Sequence, residues 1–93
     1  MGILVHDAAE VPNYGITVRD FSITCKGCYS IEKIAASYVV RSTCYWFAAN
    51  AVQPLYLEQF SFILQENELM TVPNMFNEIY ARLKARYQNV EDN

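Results

Sequence analysis

The sequence predicts an α+β fold: a small antiparallel sheet of three to four strands, with a short helical turn and one C-terminal amphipathic helix packed on it. Three observations carry this reading. Phe21-Ser22-Ile23 alternates apolar and polar residues, as a half-buried strand does. Ser37-Tyr38-Val39-Val40-Arg41-Ser42-Thr43 is β-branched and aromatic, a composition enriched in strands. Phe76, Ile79, Tyr80, Leu83 and Tyr87 recur at the spacing of one buried helical stripe. With 93 residues the chain has room for a single core, read as one domain over 1–93.

Taken in order, residues 1–13 read as an irregular N-terminal arm, residues 14–65 as the strand-rich part and residues 72–88 as the C-terminal helix. Val11-Pro12-Asn13-Tyr14-Gly15 groups Pro, Asn and Gly, and so marks a lead-in to the first strand. Ile16-Thr17-Val18 and Phe21-Ser22-Ile23 are out of phase, which implies a bulge or bend at Arg19-Asp20. Cys25-Lys26-Gly27-Cys28 suits a tight hairpin whose glycine takes a positive φ. Tyr29 to Thr43 returns as a long second strand, although Ile31 to Ala36 could also form a helical turn. Tyr45-Trp46-Phe47-Ala48-Ala49-Asn50 lacks alternation and is alanine-rich, so one or two helical turns are expected there.

Leu55 to Leu64 is the third strand. Leu57 and Phe60 lie in opposite phases, implying a second bulge near Glu58-Gln59. Gln65-Glu66-Asn67-Glu68 reads as a polar loop. Thr71 offers an N-cap and Pro73 fits the first helical turn. Glu78 and Arg82 form an i, i+4 pair on the helix, and Lys84 and Arg86 suit the dipole near its end. The tail Val90-Glu91-Asp92-Asn93 is polar and expected to be loosely held.

Composition narrows the function. The chain is 53% hydrophobic with 18% charged residues, more apolar than the usual domain with about 25% charged, so part of its surface is expected to meet protein. The net charge of −3 supplies no basic field for a phosphate backbone, which disfavours nucleic acid. No apolar run approaches the about 20 residues that span a bilayer, and no basic segment precedes the short apolar stretch at the start. Neither a membrane nor a small-molecule substrate is therefore expected as a partner.

Catalytic machinery is not recognisable. His6 is the single histidine; Asp7 and Glu10 are near it, but the arm it occupies is a poor platform for acid–base work. Glu58, Glu66, Glu68 and Glu78 are scattered, so spacing fixes no carboxylate pair. Three cysteines, Cys25, Cys28 and Cys44, cannot all pair within the chain. Cys25-x-x-Cys28 can be half a zinc site, a redox pair or a turn. Adding Cys44 and His6 would complete four ligands, but at intervals unlike those of zinc knuckles. Free structural thiols are the plainer reading, with a disulfide across the turn or from Cys44 to a neighbouring subunit as alternatives. No metal, cofactor or catalytic residue is expected.

Several short pieces occur in an order that resembles small tailed-bacteriophage virion proteins. They are Val11-Pro12-Asn13-x-Gly15-Ile16, Gln53-Pro54-Leu55, Phe60-Ser61-Phe62 and Ala81-x-Leu83-Lys84. The sequence departs from that group at Cys25-x-x-Cys28 and at Tyr45-Trp46-Phe47. The resemblance implies a non-enzymatic structural subunit of tail, baseplate, connector or capsid surface. Such a subunit is made in the host cytoplasm, resides in the virion, and assembles with copies of itself and other virion proteins. Tyr45, Trp46 and Phe47 are the candidate interface anchors, because large aromatics dominate interface energy; core packing is the alternative for them. A small protein-binding regulator of the immunity type is the competing function.

Overall fold

The computed structural model describes residues 2–12, 14–25 and 29–92. The architecture is α+β, a mostly antiparallel six-stranded sheet with a separate two-stranded hairpin and two C-terminal helices. The sheet is therefore larger than the three to four strands expected.

The extra strands come largely from the chain ends. Ile3–Val5 forms β1 within the supposed irregular arm, and Ile3 and Val5 are fully buried. β1 lies between β4 (Phe21–Cys25) and β8 (Val90–Asp92), so the polar tail is also a strand. Backbone pairing, to which side-chain polarity is no guide, holds β8 in place. Asp7 adds a latch: its carboxylate accepts the N–H groups of Gln88 at 2.7 Å and Asn89 at 3.1 Å, and the Asn89 side-chain amide at 2.8 Å.

β2 (Ala9–Val11) and β3 (Ile16–Val18) form the separate hairpin, anchored by fully buried Val11. The phase flip at Arg19-Asp20 is made by the bend, not by a bulge. β3 and β4 belong to different sheets, and the chain passes between them through Asp20 at φ 55, a left-handed conformation that Asp tolerates.

β4 and β5 (Ser30–Ile34) lie end to end along one edge of β6 (Ser37–Phe47), both antiparallel to it. The chain thus runs in one direction on both sides of the proposed Cys25–Cys28 hairpin, whose Lys26, Gly27 and Cys28 lie outside the described residues. The reversal comes later, at Ala35-Ala36, and splits the expected long second strand in two. Ile34 opposes Ser37 and Ala35 has φ 55, as in a two-residue type II′ turn. Alanine in place of the usual glycine there conceals the turn.

β6 continues through Tyr45-Trp46-Phe47 where helical turns are expected. Pairing with Ser22, Ile23 and Thr24 on one side holds these residues extended, overriding the alanine-rich context. On the other side β7 (Tyr56–Gln65) pairs in unbroken register from Trp46 opposite Tyr56 to Ser37 opposite Gln65, so no bulge interrupts Glu58-Gln59. The even positions of β7 face inward, Glu58 included.

The expected polar loop is instead α1 (Glu66–Thr71), started by a capping box in which the Gln65 N–H donates to Glu68 Oε1 at 3.0 Å. α2 (Met75–Lys84) is shorter than the expected 72–88 helix. Its cap is Asn74, whose Oδ1 accepts the Asn77 N–H at 3.2 Å. The predicted stripe holds, since Ile79, Tyr80 and Leu83 are buried and Phe76 and Tyr87 pack beside them. The core forms where this stripe meets Ile3, Ile23, Phe21, Val40 and Trp46, with Phe21 stacked on Trp46 at 4.8 Å between ring centroids.

Candidate functional site

Three places hold the residues that could carry function. The first is the outer face of the sheet. Leu57 and Ile63 on β7 are 53% and 59% exposed there, and Ile34 on β5 is 48% exposed. Val39, Tyr45 and Phe47 on β6 are half-buried on the same face, since strand residues alternate between faces. The anchor trio is thereby divided. Tyr45 and Phe47 face outward, whereas Trp46 is only 4% exposed and belongs to the core. Beyond β7, no further strand of the described residues pairs with its ten-residue edge.

The second place is a row on the inner face, where Cys25, Cys44 and Glu58 oppose one another across β4, β6 and β7. Glu58 accepts two bonds from Arg86, at 2.7 and 3.1 Å, and one from Trp46 Nε1 at 3.1 Å. Burial disfavours the charge on Arg86, but the Glu58 bonds outweigh it and lift the guanidinium pKa above its ordinary value. The pair ties the chain after α2 to the edge strand. Glu58 and Arg86 are 28 residues apart, so periodicity offers no sign of their meeting.

Cys25 and Cys44 are both buried, with Sγ atoms 3.2 Å apart. Tyr80 on α2 fixes this end of β4: its hydroxyl accepts the Cys25 N–H at 2.8 Å and lies 3.5 Å from the Cys25 carbonyl. A Cys44 bridge to a neighbouring subunit would have to reach a residue with no exposure. The four-ligand set containing His6 is also taken apart. Cys25 lies beyond the Ile3–Ile23 end of the β1–β4 ladder and His6 beyond the Val5–Phe21 end. Among the described residues, no three of His, Cys, Asp and Glu converge as a metal ion needs. Cys28 lies outside the described residues.

The third place is an open cleft of about 530 Å³ lined by Leu4, His6, Asp20, Ser22, Phe47 and the Ala48–Ala51 turn. His6 Nδ1 bonds Asp20 Oδ1 at 2.9 Å, and Nε2 stands 3.6 Å from Glu91 Oε1. The Asp20 bond, aided by Glu91, raises the imidazole pKa above its ordinary value. Both nitrogens thus face carboxylates. That arrangement favours a cation tying β8 to the β3–β4 connection, and leaves neither nitrogen directed at Ser22 as a general base would be.

Comparison with protein-family models, with curated proteins and with solved structures finds no match for this chain.

Proposed function

We propose that the chain is a non-enzymatic structural subunit that acts by multi-copy assembly, and that its particle is the tailed-phage virion suggested by the ordered sequence pieces. The observation that carries assembly is the outer side of β7, a ten-residue edge with which no further strand of the described residues pairs and which borders the exposed side chains of Leu57 and Ile63. The occupant is a second copy of this chain, added antiparallel at that edge. Its outward side chains, Leu57, Gln59, Ser61, Ile63 and Gln65, carry no charge, so two copies meet without repulsion. Long apolar edges invite such pairing, and β7 has neither the lysine nor the proline that commonly blunts them. Tyr45 lies opposite Leu57 and adds aromatic area to the same face.

Native mass spectrometry over a concentration series should show dimers or larger species. Ile63→Lys should shift them to monomer while the circular dichroism spectrum is unchanged. In infected cells the chain should co-purify with particles at a fixed ratio. A strict monomer that is missing from purified particles ends this reading.

A further inference from the structure

We propose that Cys25 and Cys44 form a dithiol–disulfide site that exchanges with small-molecule disulfides of the glutathione class, with Cys25 as the attacking sulfur and Cys44 as the resolving one. Geometry is the first support. The two residues are direct partners across β4 and β6, and Tyr80 takes both backbone polar groups of Cys25 on the side away from β6. That makes Cys25–Cys44 a non-hydrogen-bonded pair, the kind whose α-carbons approach to about 4.5 Å, inside the range a disulfide spans. The sulfurs at 3.2 Å need only close to the roughly 2.05 Å of an S–S bond.

The two sulfurs differ in ways that assign their roles. Cys25 keeps 9% exposure and Cys44 none, so an incoming disulfide meets Cys25 first. The hydrogen bond from Cys44 lowers the Cys25 pKa to about 7, with help from Ser42 and Tyr80. Cys44, as the donor in that bond and with burial added, is raised. A thiolate is the nucleophile in such exchange, so Cys25 is the poised partner.

The exchange balances in two steps. The Cys25 thiolate attacks one sulfur of the small disulfide, forms a mixed disulfide and releases a thiolate. Cys44 then gives its proton to that leaving thiolate and attacks the Cys25 sulfur, expelling the second small thiolate, which takes up from water the proton that Cys25 released on ionising. Two protein thiols are oxidised, and one small disulfide is reduced to two thiols. The bond would staple β4 to β6 around the intervening β5 hairpin.

The test uses the full chain carrying Cys28→Ser, equilibrated with mixtures of reduced and oxidised glutathione at neutral pH, acid-quenched and alkylated. The expected result is a mass loss of about 2 Da, for two hydrogens, and a peptide joining Cys25 to Cys44. In the parent chain Cys28 should still take the alkylating reagent under the same conditions. Adding Cys44→Ala should trap glutathione on Cys25, and Cys25→Ala should leave Cys44 unmodified in the folded chain. The proposal is overturned if the folded Cys28→Ser chain stays a dithiol at ratios that oxidise it in urea. It is equally overturned if the parent chain links Cys25 to Cys28. Both measurements are made on chains whose cysteine pair is intact, so they stand even if the alanine variants unfold.

Discussion

Along β6, Val40, Ser42, Cys44 and Trp46 point inward and are buried, whereas Val39, Arg41, Thr43, Tyr45 and Phe47 point outward and keep contact with solvent. The two sets share one backbone and one ladder of hydrogen bonds. Only the inner set is covered by α2 and the β2–β3 hairpin, and its neighbours fill space around Phe21, Ile3 and Ile79. Among the described residues, no helix or strand is layered over the outer set. The difference separates a buried side of the strand from a half-exposed one, and adjacent residues of the Tyr45-Trp46-Phe47 trio fall on opposite sides of it.

The largest expected effect breaks the comparison at its sharpest point. Trp46→Ala removes a ring stacked on Phe21 and edge-on to Tyr56, and should cost about 3–5 kcal/mol. Tyr45→Ala, one residue away, should cost under about 1 kcal/mol while weakening self-association. Urea denaturation of both variants at one pH measures the first difference, and native mass the second. Equal losses of stability would mean that the outer face is structural after all.

The inner face is not uniformly apolar, and Glu58 on it supplies the next effect. Glu58→Ala leaves Arg86 without its carboxylate and Trp46 Nε1 without its acceptor. The side chains of Glu58 and Arg86 are 18% and 33% exposed, so about 2 kcal/mol is expected rather than the 3–5 kcal/mol of a fully buried pair. Arg86→Ala should be non-additive with it, with a coupling of about 1 kcal/mol in a double-mutant cycle. Zero coupling would make the pair an incidental contact and reduce the inner face to hydrophobic packing alone.

The same residues explain how much of the molecule was legible in its sequence. The α2 stripe could be read because its contacts repeat locally, and Phe21-Ser22-Ile23 because its alternation matches its burial. β7 was misphased for a physical reason. Glu58 is polar yet inward, satisfied by an arginine 28 residues away, while Leu57 and Ile63 are apolar yet outward. β1 and β8 are three residues each and pair across the whole length of the chain, so neither carries a pattern long enough to see. The meeting of Cys25 with Cys44 depends on the Ala35-Ala36 turn, which sets the register of β5 on β6 but holds no glycine, asparagine or proline to mark it. The local Cys25-x-x-Cys28 spacing points to the nearer thiol instead.

The smallest effect sharpens the comparison from the outside, because the groups that titrate near neutrality or in mild acid at β8 are exposed and away from the core. His6 has a raised pKa through Asp20 and Glu91, so it favours the folded state most when charged. Its contribution is complete below the ordinary histidine value of 6.5 and is lost as pH rises through the higher folded value. Asp7 has a lowered pKa because the backbone N–H of Asn89, then the Asn89 side chain and the Gln88 N–H, bond its carboxylate. Its contribution is complete above 3.8 and is lost as pH falls through the lower folded value. Both ties to the C-terminal strand are therefore in place between about 3.8 and 6.5. Hydrogen exchange should show the Val90–Asp92 amides best protected in that window, after correction for the intrinsic pH dependence of exchange, with protection falling on both sides. Ile23 and Trp46 amides should keep their protection throughout. His6→Gln should abolish the alkaline arm alone and Asp7→Asn the acid arm alone. If the β8 and β4–β6 amides instead lose protection together, the rim and the core open as one unit, and the division between an inner face that holds the fold and an outer one that is free to change fails at this edge of the sheet.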